Sequence, residues 1–359
     1  MTRRRPVRTR TMASLGITAV TLIRSALPAP SALAADLPLA VSERYRPIRD
    51  QAVSGTPYVR YRTVDRFGRT ITFYLGSAPD TTKALPLAVF VQGSGGFSLF
   101  SMKGGRIAGA YGQPSVVDAF YGRARLLVVE KPGVAFLTPE PPSGASPGSA
   151  EFRREHTLPR WSEAVEAAVQ AARTLPEIRR GRLLVMGHSE GALVACRVAR
   201  DLGGIVTHVA SISGGGPTQL FDLLELTRQG RFLREVSDDP DARVRYVLGL
   251  WDRVLADPEN PDRLFLGQTY RRWSSFASTS PIEELRPVTA RIYIAQGLRD
   301  DVALPESADA LDADLLAHGK DVTYDRVPDA GHSFETPTDA SAAGWRSMLD
   351  RVAAWFDRP

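Results

Sequence analysis

Strand-like and helix-like hydrophobic patterns alternate along most of this chain. In TPYVRYRTVDRFGRTITFYLGS, Val, Tyr, Thr and Ile recur at strand spacing on both sides of Phe67-Gly68-Arg69. That predicts two strands joined by a turn. LPLAVFVQ (85–92) and ARLLVVEK (124–131) are short apolar runs, of the kind a sheet buries on both faces. Trp161, Ala164, Val165, Ala168, Val169, Ala172 and Leu175 fall at intervals of three and four, which predicts a helix with one apolar face. RLLVMG then reads as a strand, GALVACRVARDL as a helix and THVASISGG as a strand. ARIYIAQG (290–297) and VTYDRVP (322–328) are strands around a helix at ADALDADLLAHG (308–319), and Trp345, Met348, Leu349, Val352, Ala353 and Phe356 mark a last helix.

Such alternation predicts an α/β fold, a mainly parallel sheet flanked by helices, with the first two strands as an antiparallel edge. Residues 217–286 interrupt it. They hold LFDLLELTRQGRFL, VRYVLGLWDRVLA and QTYRRWSSFA, all helix-compatible, and no clear sheet element. We expect a helical lid or cap insertion there, over the carboxyl ends of the strands where open α/β sheets bind ligands. It divides the core into residues 55–216 and 287–359.

The N-terminus has a different character. Basic MTRRRPVRTRT precedes the short apolar run Met12–Ile23 and then PAPSALAADLP. This order reads as a signal peptide over residues 1–34, followed by an N-terminal extension over 35–54, and it predicts export to the periplasm or beyond the cell. The apolar run is too short for a lasting membrane span. Of the 45 Lys and Arg, six lie in residues 1–34, which hold no acid; the remainder carries 39 against 40 Asp and Glu, a formal −1. The high pI therefore belongs to the leader, and no basic stripe of a nucleic-acid binder remains. Cys196 is the single cysteine, so no intrachain disulfide can form. Its place in ALVACRVA suits packing on a helix. The histidines at 156, 188, 208, 318 and 332 show no metal-binding spacing.

The chemistry gathers at three loops. GHSEG (187–191) puts Ser189 between a strand and a helix, with glycine two residues to either side. A serine in such a turn adopts a strained backbone, side chains at 187 or 191 would collide with neighbouring elements, and the hydroxyl stands at the rim of the sheet. Serine needs a base, and PDAGHSF (328–334) offers His332 in a small-residue loop. The base needs an acid to fix its tautomer. GLRDDVALP places Asp300 and Asp301 just past a strand; Asp300 is the preferred acid and Asp301 the alternative. Oxyanion donors are expected from the backbone N–H of Glu190 and from QGSGG (92–96), at Ser94 or, next to it, Gly95. GSGG lacks the spacing of a nucleotide loop, so no cofactor or metal is called for.

This constellation resembles the α/β-hydrolase fold. GHSEG and GLRDD…AGHSF are similar to motifs of its serine aminopeptidase, prolyl oligopeptidase-like and esterase-like branches, over residues 55–357. The resemblance implies Ser189, Asp300 and His332 as nucleophile, acid and base. Two departures stand out. The oxyanion loop begins Gln92-Gly93 where the family has His-Gly, and GLRDDVALP holds one residue more than GxxDxxVP. Counting from Gly297 selects Asp300; counting back from Pro305 selects Asp301.

The function expected is a serine hydrolase cleaving an ester or related acyl bond through an acyl-enzyme. A serine peptidase acting on short peptides, or a non-catalytic binding protein on the same scaffold, are the alternatives. Glu190 can bind a substrate amine, as an aminopeptidase requires, although a solvated or capping glutamate is the plainer reading. Trp251, Phe265, Tyr270, Trp273 and Phe276 either line an apolar pocket or pack the insertion onto the core.

Overall fold

The computed structural model describes residues 45–80, 83–141, 147–339 and 342–359. The expected signal peptide and residues 35–44 of the expected extension lie outside the described residues. In chain order the elements begin with strands β1 (Ile48–Ala52), β2 (Tyr58–Val64), β3 (Thr70–Gly76) and β4 (Leu85–Val91). A hairpin, β5 (Phe100–Lys103) and β6 (Arg106–Gly109), is followed by α1 (Gln113–Phe120), β7 (Arg125–Val129), α2 (Ala150–Glu155) and α3 (Leu158–Ala172). Next come β8 (Ile178–His188), α4 (Glu190–Asp201) and β9 (His208–Ile212). The chain ends with β12 (Arg291–Gly297), α9 (Pro305–Ala317), β13 (Val322–Val327) and α10 (Ala343–Asp357).

Among the described residues, nine strands form one sheet in the order β1-β2-β3-β7-β4-β8-β9-β12-β13. The β1–β2, β2–β3 and β3–β7 pairings are antiparallel. All others are parallel. The mainly parallel sheet with an antiparallel edge is therefore as the pattern implies. After β4 the chain places β7 on one side of it and β8 on the other. That reversal opens a crevice at the carboxyl ends of β4 and β8, the place where open α/β sheets hold ligands.

Alternation along the central strands builds a core on each face. Leu87, Val89 and Val91 of β4 and Leu183 and Val185 of β8 pack under α3 and α4, with Trp161, Val165, Ala168 and Val194. Ala88, Phe90, Leu184 and Met186 point the other way, toward Val116 and Phe120 of α1 and Met348, Val352 and Phe356 of α10. Cys196 is fully buried on the α4 side. Each strand is apolar on both faces because helices cover both.

Residues 217–286 carry α5 (Gln219–Arg228), α6 (Pro240–Ala256), α7 (Tyr270–Phe276) and α8 (Pro281–Leu285). Leu223, Val247, Val254, Phe265 and Tyr270 give the segment a small core of its own. It also contains a hairpin, β10 (Leu264–Phe265) with β11 (Gln268–Thr269), where no sheet element was expected. Its two-residue turn, Leu266-Gly267, has positive φ at both positions (45° and 77°), the turn whose twist suits a tight hairpin. Helix α8 sits on the main core rather than on this segment. Its Leu285 is fully buried there, and Glu284 pairs with Arg197 and Arg200 of α4. No helix among the described residues is long and apolar enough to cross a membrane.

Candidate active site

Ser189 caps the amino end of α4 directly after β8, with φ 56° and ψ −125°. That backbone is uncommon for a residue with a side chain, and its surroundings hold it there. The Ser189 N–H donates to the Ile212 carbonyl at 2.9 Å. A Cβ at position 187 would lie 2.0 Å from the Gly191 carbonyl oxygen, and one at 191 would lie 2.3 Å from that of Gln92. Both glycines are thus required by backbone meeting backbone, as the sequence pattern suggested.

The hydroxyl has a partner. His332 Nε2 lies 2.9 Å from Ser189 Oγ, and His332 Nδ1 lies 3.0 and 2.9 Å from the two carboxyl oxygens of Asp300. Asp300 is buried at the carboxyl end of β12 and accepts the N–H groups of Val302 and Ala303, each at 2.9 Å, and the Gln296 side-chain amide at 3.0 Å. Burial opposes its ionisation, but the hydrogen bonds from His332 and the two amides prevail and hold the carboxyl below the usual range. Asp301 is exposed and, among the described residues, pairs with Arg231 at 3.8 Å. Of the two aspartates, Asp300 is the one that lies beside His332.

His332 is itself held in place. The His332 carbonyl accepts from Ser213 Oγ at 2.9 Å and from His188 Nε2 at 3.0 Å. His188 packs against His332 and edge-on to Trp345, and burial pushes its imidazole down to about 4. It is therefore a neutral support for the His332 loop.

A cavity of about 260 Å³ opens beside Ser189. The core contributes Ser94, Ser189, Glu190, Ser213, Gly214, Val302, Ala303 and His332; residues 217–286 contribute Gln219, Asp222, Leu223, Leu226, Phe232, Leu266, Arg272 and Trp273. Of the five aromatic candidates, only Trp273 is at this cavity. The other four lie away from it, in packed positions. Phe276 is fully buried against His156 and Trp161, while Trp251, Phe265 and Tyr270 pack in the core of the segment, between α6, α7 and the hairpin. Leu223 and Leu226 were missed because leucine spacing alone does not separate a helix's cavity face from its packed face, and Phe232 and Leu266 lie outside helices and strands, where no periodicity marks them.

Ser94 faces the same cavity, and a Cβ on Gly93 would touch that of Ser189 at 3.4 Å. The QGSGG loop thus runs alongside the serine. Gln92 is buried and its amide donates to the Val129 carbonyl. Gly95 has φ 110°, open to glycine only.

Glu190 differs from the solvated or capping residue that its position suggested. It is buried, with Oε1 2.8 Å from His156 Nε2 and Oε2 2.7 Å from Arg272 Nε. Burial alone would raise its pKa, but Arg272, His156 and Lys131 overcome that and hold it well below the usual range. Both oxygens of this carboxylate thus already have protein partners. Lys131 and Arg272, both buried, escaped the sequence reading; the one signal was Glu130-Lys131 directly after the apolar run of β7.

Residues 88–343 match the profile of the alpha/beta hydrolase family. The chain belongs to that family. No curated protein matches the hydrolase, but solved structures resemble it in fold. Est1E from Butyrivibrio proteoclasticus superposes with a TM-score of 0.52 at 15% identity, over 84% of this chain and 99% of its own. An acylaminoacyl peptidase from Pyrococcus horikoshii gives 0.54 at 13% identity, and a putative dipeptidyl aminopeptidase IV from Bacteroides ovatus gives 0.52 at 12%. The match spans 85% and 87% of the hydrolase, but only 42% and 35% of these two longer chains.

Proposed function

We propose that this hydrolase cleaves esters or related acyl bonds through an acyl-enzyme, with Ser189 as nucleophile, His332 as base and Asp300 as the orienting acid. The observation that carries this reading is the unbroken run of hydrogen bonds from Ser189 Oγ through His332 to Asp300 at the floor of a cavity. Ser189 Oγ attacks the substrate carbonyl while His332 Nε2 takes its proton. The imidazolium formed is stabilised by the ionised Asp300, whose buried carboxylate costs nothing to reorganise. The N–H groups of Glu190 and Ser94 then receive the oxyanion. His332 returns the proton to the leaving alkoxide, and a water activated by the same imidazole releases the acid.

An ester is favoured over a peptide by two features. Glu190, the group best placed to anchor a substrate amine, is engaged by Arg272 and His156. The walls supplied by Leu223, Leu226, Phe232, Leu266 and Trp273 are apolar, which suits an uncharged acyl group. The cap role of residues 217–286 belongs to the same proposal, since they make one side of the cavity. A fluorophosphonate should label the native protein, and Ser189→Ala should abolish labelling and lower kcat by about 10⁴ or more. A panel of p-nitrophenyl esters beside aminoacyl and prolyl amides decides the bond class. Labelling that survives in Ser189→Ala would overturn the nucleophile, and faster turnover of the amides would move the protein to the peptidase reading.

A further inference from the structure

Lys131 stands immediately after β7, buried, and no feature of the reaction sketched above uses it. Its Nζ lies 2.6 Å from the carbonyl oxygen of Gly93 and 2.7 Å from that of Gly95, and 4.5 Å from the centre of the Trp161 ring. A lysine this enclosed is uncommon, because burial disfavours the ammonium. Here the ammonium is held by two alternate carbonyls of the loop that runs alongside Ser189.

The geometry of a peptide unit turns that contact into a constraint. All peptide bonds among the described residues are trans, so the C=O of Gly93 and the N–H of Ser94 point in opposite directions from one rigid plane. Drawing the Gly93 oxygen toward Lys131 turns the Ser94 N–H to the other side of the loop, and Ser94 borders the cavity at Ser189. The second contact, at Gly95, prevents rotation of the loop about the first. A cation on the carbonyl also withdraws charge from the peptide and makes its N–H a stronger donor.

We propose that Lys131 is a positioning residue for the oxyanion site, fixing the direction of the Ser94 N–H through the Gly93 carbonyl. The proposal rests on the acyl-enzyme reading above. The groups around the ammonium suit it. Glu190 on α4 is ionised and favours the charged lysine; Arg272 on α7 opposes it; Glu130, next in the chain, is raised by burial to about 8; His156 is lowered by burial; and the Tyr111 ring lies 5.4 Å away. Burial first, with Arg272 and against Glu190 and Glu130, brings Lys131 down to about 8 from the ordinary range.

Lys131→Met tests this in the full chain, read with a p-nitrophenyl ester, a fluorophosphonate and a trifluoromethyl ketone that adds to the serine as an oxyanion. Expected are a fall in kcat of about 10²-fold with KM within threefold, and a matching loss of ketone affinity. A folded variant that keeps kcat and ketone affinity within threefold of the native values overturns the proposal. Lys131→Gln, which keeps an uncharged N–H donor group, should fall between the native protein and Lys131→Met. Native protein that takes no fluorophosphonate at Ser189 would instead refute the acyl-enzyme reading, so the two failures are distinct.

Discussion

Arg272 and Glu190 join the segment between β9 and β12 to the turn that carries Ser189. The Arg272 Nε lies 2.7 Å from Glu190 Oε2, Nη2 donates to the same oxygen, and both side chains are almost wholly buried. Eighty-two positions separate them in the chain. The pair therefore makes the placement of α7 and the first residue of α4 mutually dependent.

Removing one member leaves a buried charge without its partner, a loss of about 3–5 kcal/mol in other proteins. Arg272→Met and Glu190→Gln should each destabilise the hydrolase by about 3 kcal/mol. The double variant should lose at least 1 kcal/mol less than the two losses added. Urea denaturation of the four proteins measures the cycle. Simple additivity would show that the two groups do not act as a unit.

The neighbouring aspartates are a sharper case. Asp300→Asn keeps the shape but removes the charge that faces His332 Nδ1, and presents an amide N–H where an acceptor is required. We expect kcat to fall by about 10⁴. Asp301→Asn should stay within threefold, because its carboxylate is exposed and, among the described residues, pairs with a distant Arg231. Steady-state rates on one ester decide it, and a larger loss at 301 would transfer the acid role.

His208 predicts an acid sensitivity unrelated to catalysis. The imidazole bonds Thr207 Oγ1 at 2.8 Å and meets Trp355 and Phe356 edge-on. Burial first, then Arg182 and Arg291, lower it from 6.5 to about 4. Between those values the unfolded chain binds a proton that the native state refuses, so stability is lost as pH falls through that window. A shift of that size is worth roughly 3 kcal/mol, and screening of the two arginines by solvent reduces it to about 2 kcal/mol. His208→Phe should flatten the dependence of unfolding free energy between pH 7 and 4.5 by about that amount. Equal slopes in variant and native protein would remove His208 as the cause.

Much of this was legible in the sequence because each signal is local. Apolar runs reveal strands that are buried on both faces, and GHSEG requires its two glycines wherever a strand turns sharply into a helix. Asp300 and His332 were legible as residues just past strands, although the extra residue in GLRDDVALP left both Asp300 and Asp301 open, and only the fold places Asp300 beside His332. What escaped depends on contacts across the chain. β1 was missed because IRDQA is an exposed, polar edge strand with no alternation. Lys131, Arg272 and the buried state of Glu190 escaped because isolated charges look solvated until three distant segments enclose them.

Trp273 offers the test of whether the segment 217–286 selects substrates. Its indole N–H donates to the Phe265 carbonyl at 2.6 Å, which holds the side chain at the cavity beside Leu226 and Leu266. An acyl group large enough to reach that wall loses apolar contact in Trp273→Ala, whereas an acetyl group has none to lose. The ratio of kcat/KM for a long or aromatic acyl ester to that for the acetyl ester should fall about tenfold, from the 1–2 kcal/mol that such contact supplies. Phe276→Ala is the control, since Phe276 lies in the core between His156 and Trp161. It should cost about 3 kcal/mol or more of stability and leave the ratio within twofold. If Trp273→Ala also lowers only stability, the ring is packing rather than pocket, and selection by acyl size must come from Leu223, Leu226 and Phe232.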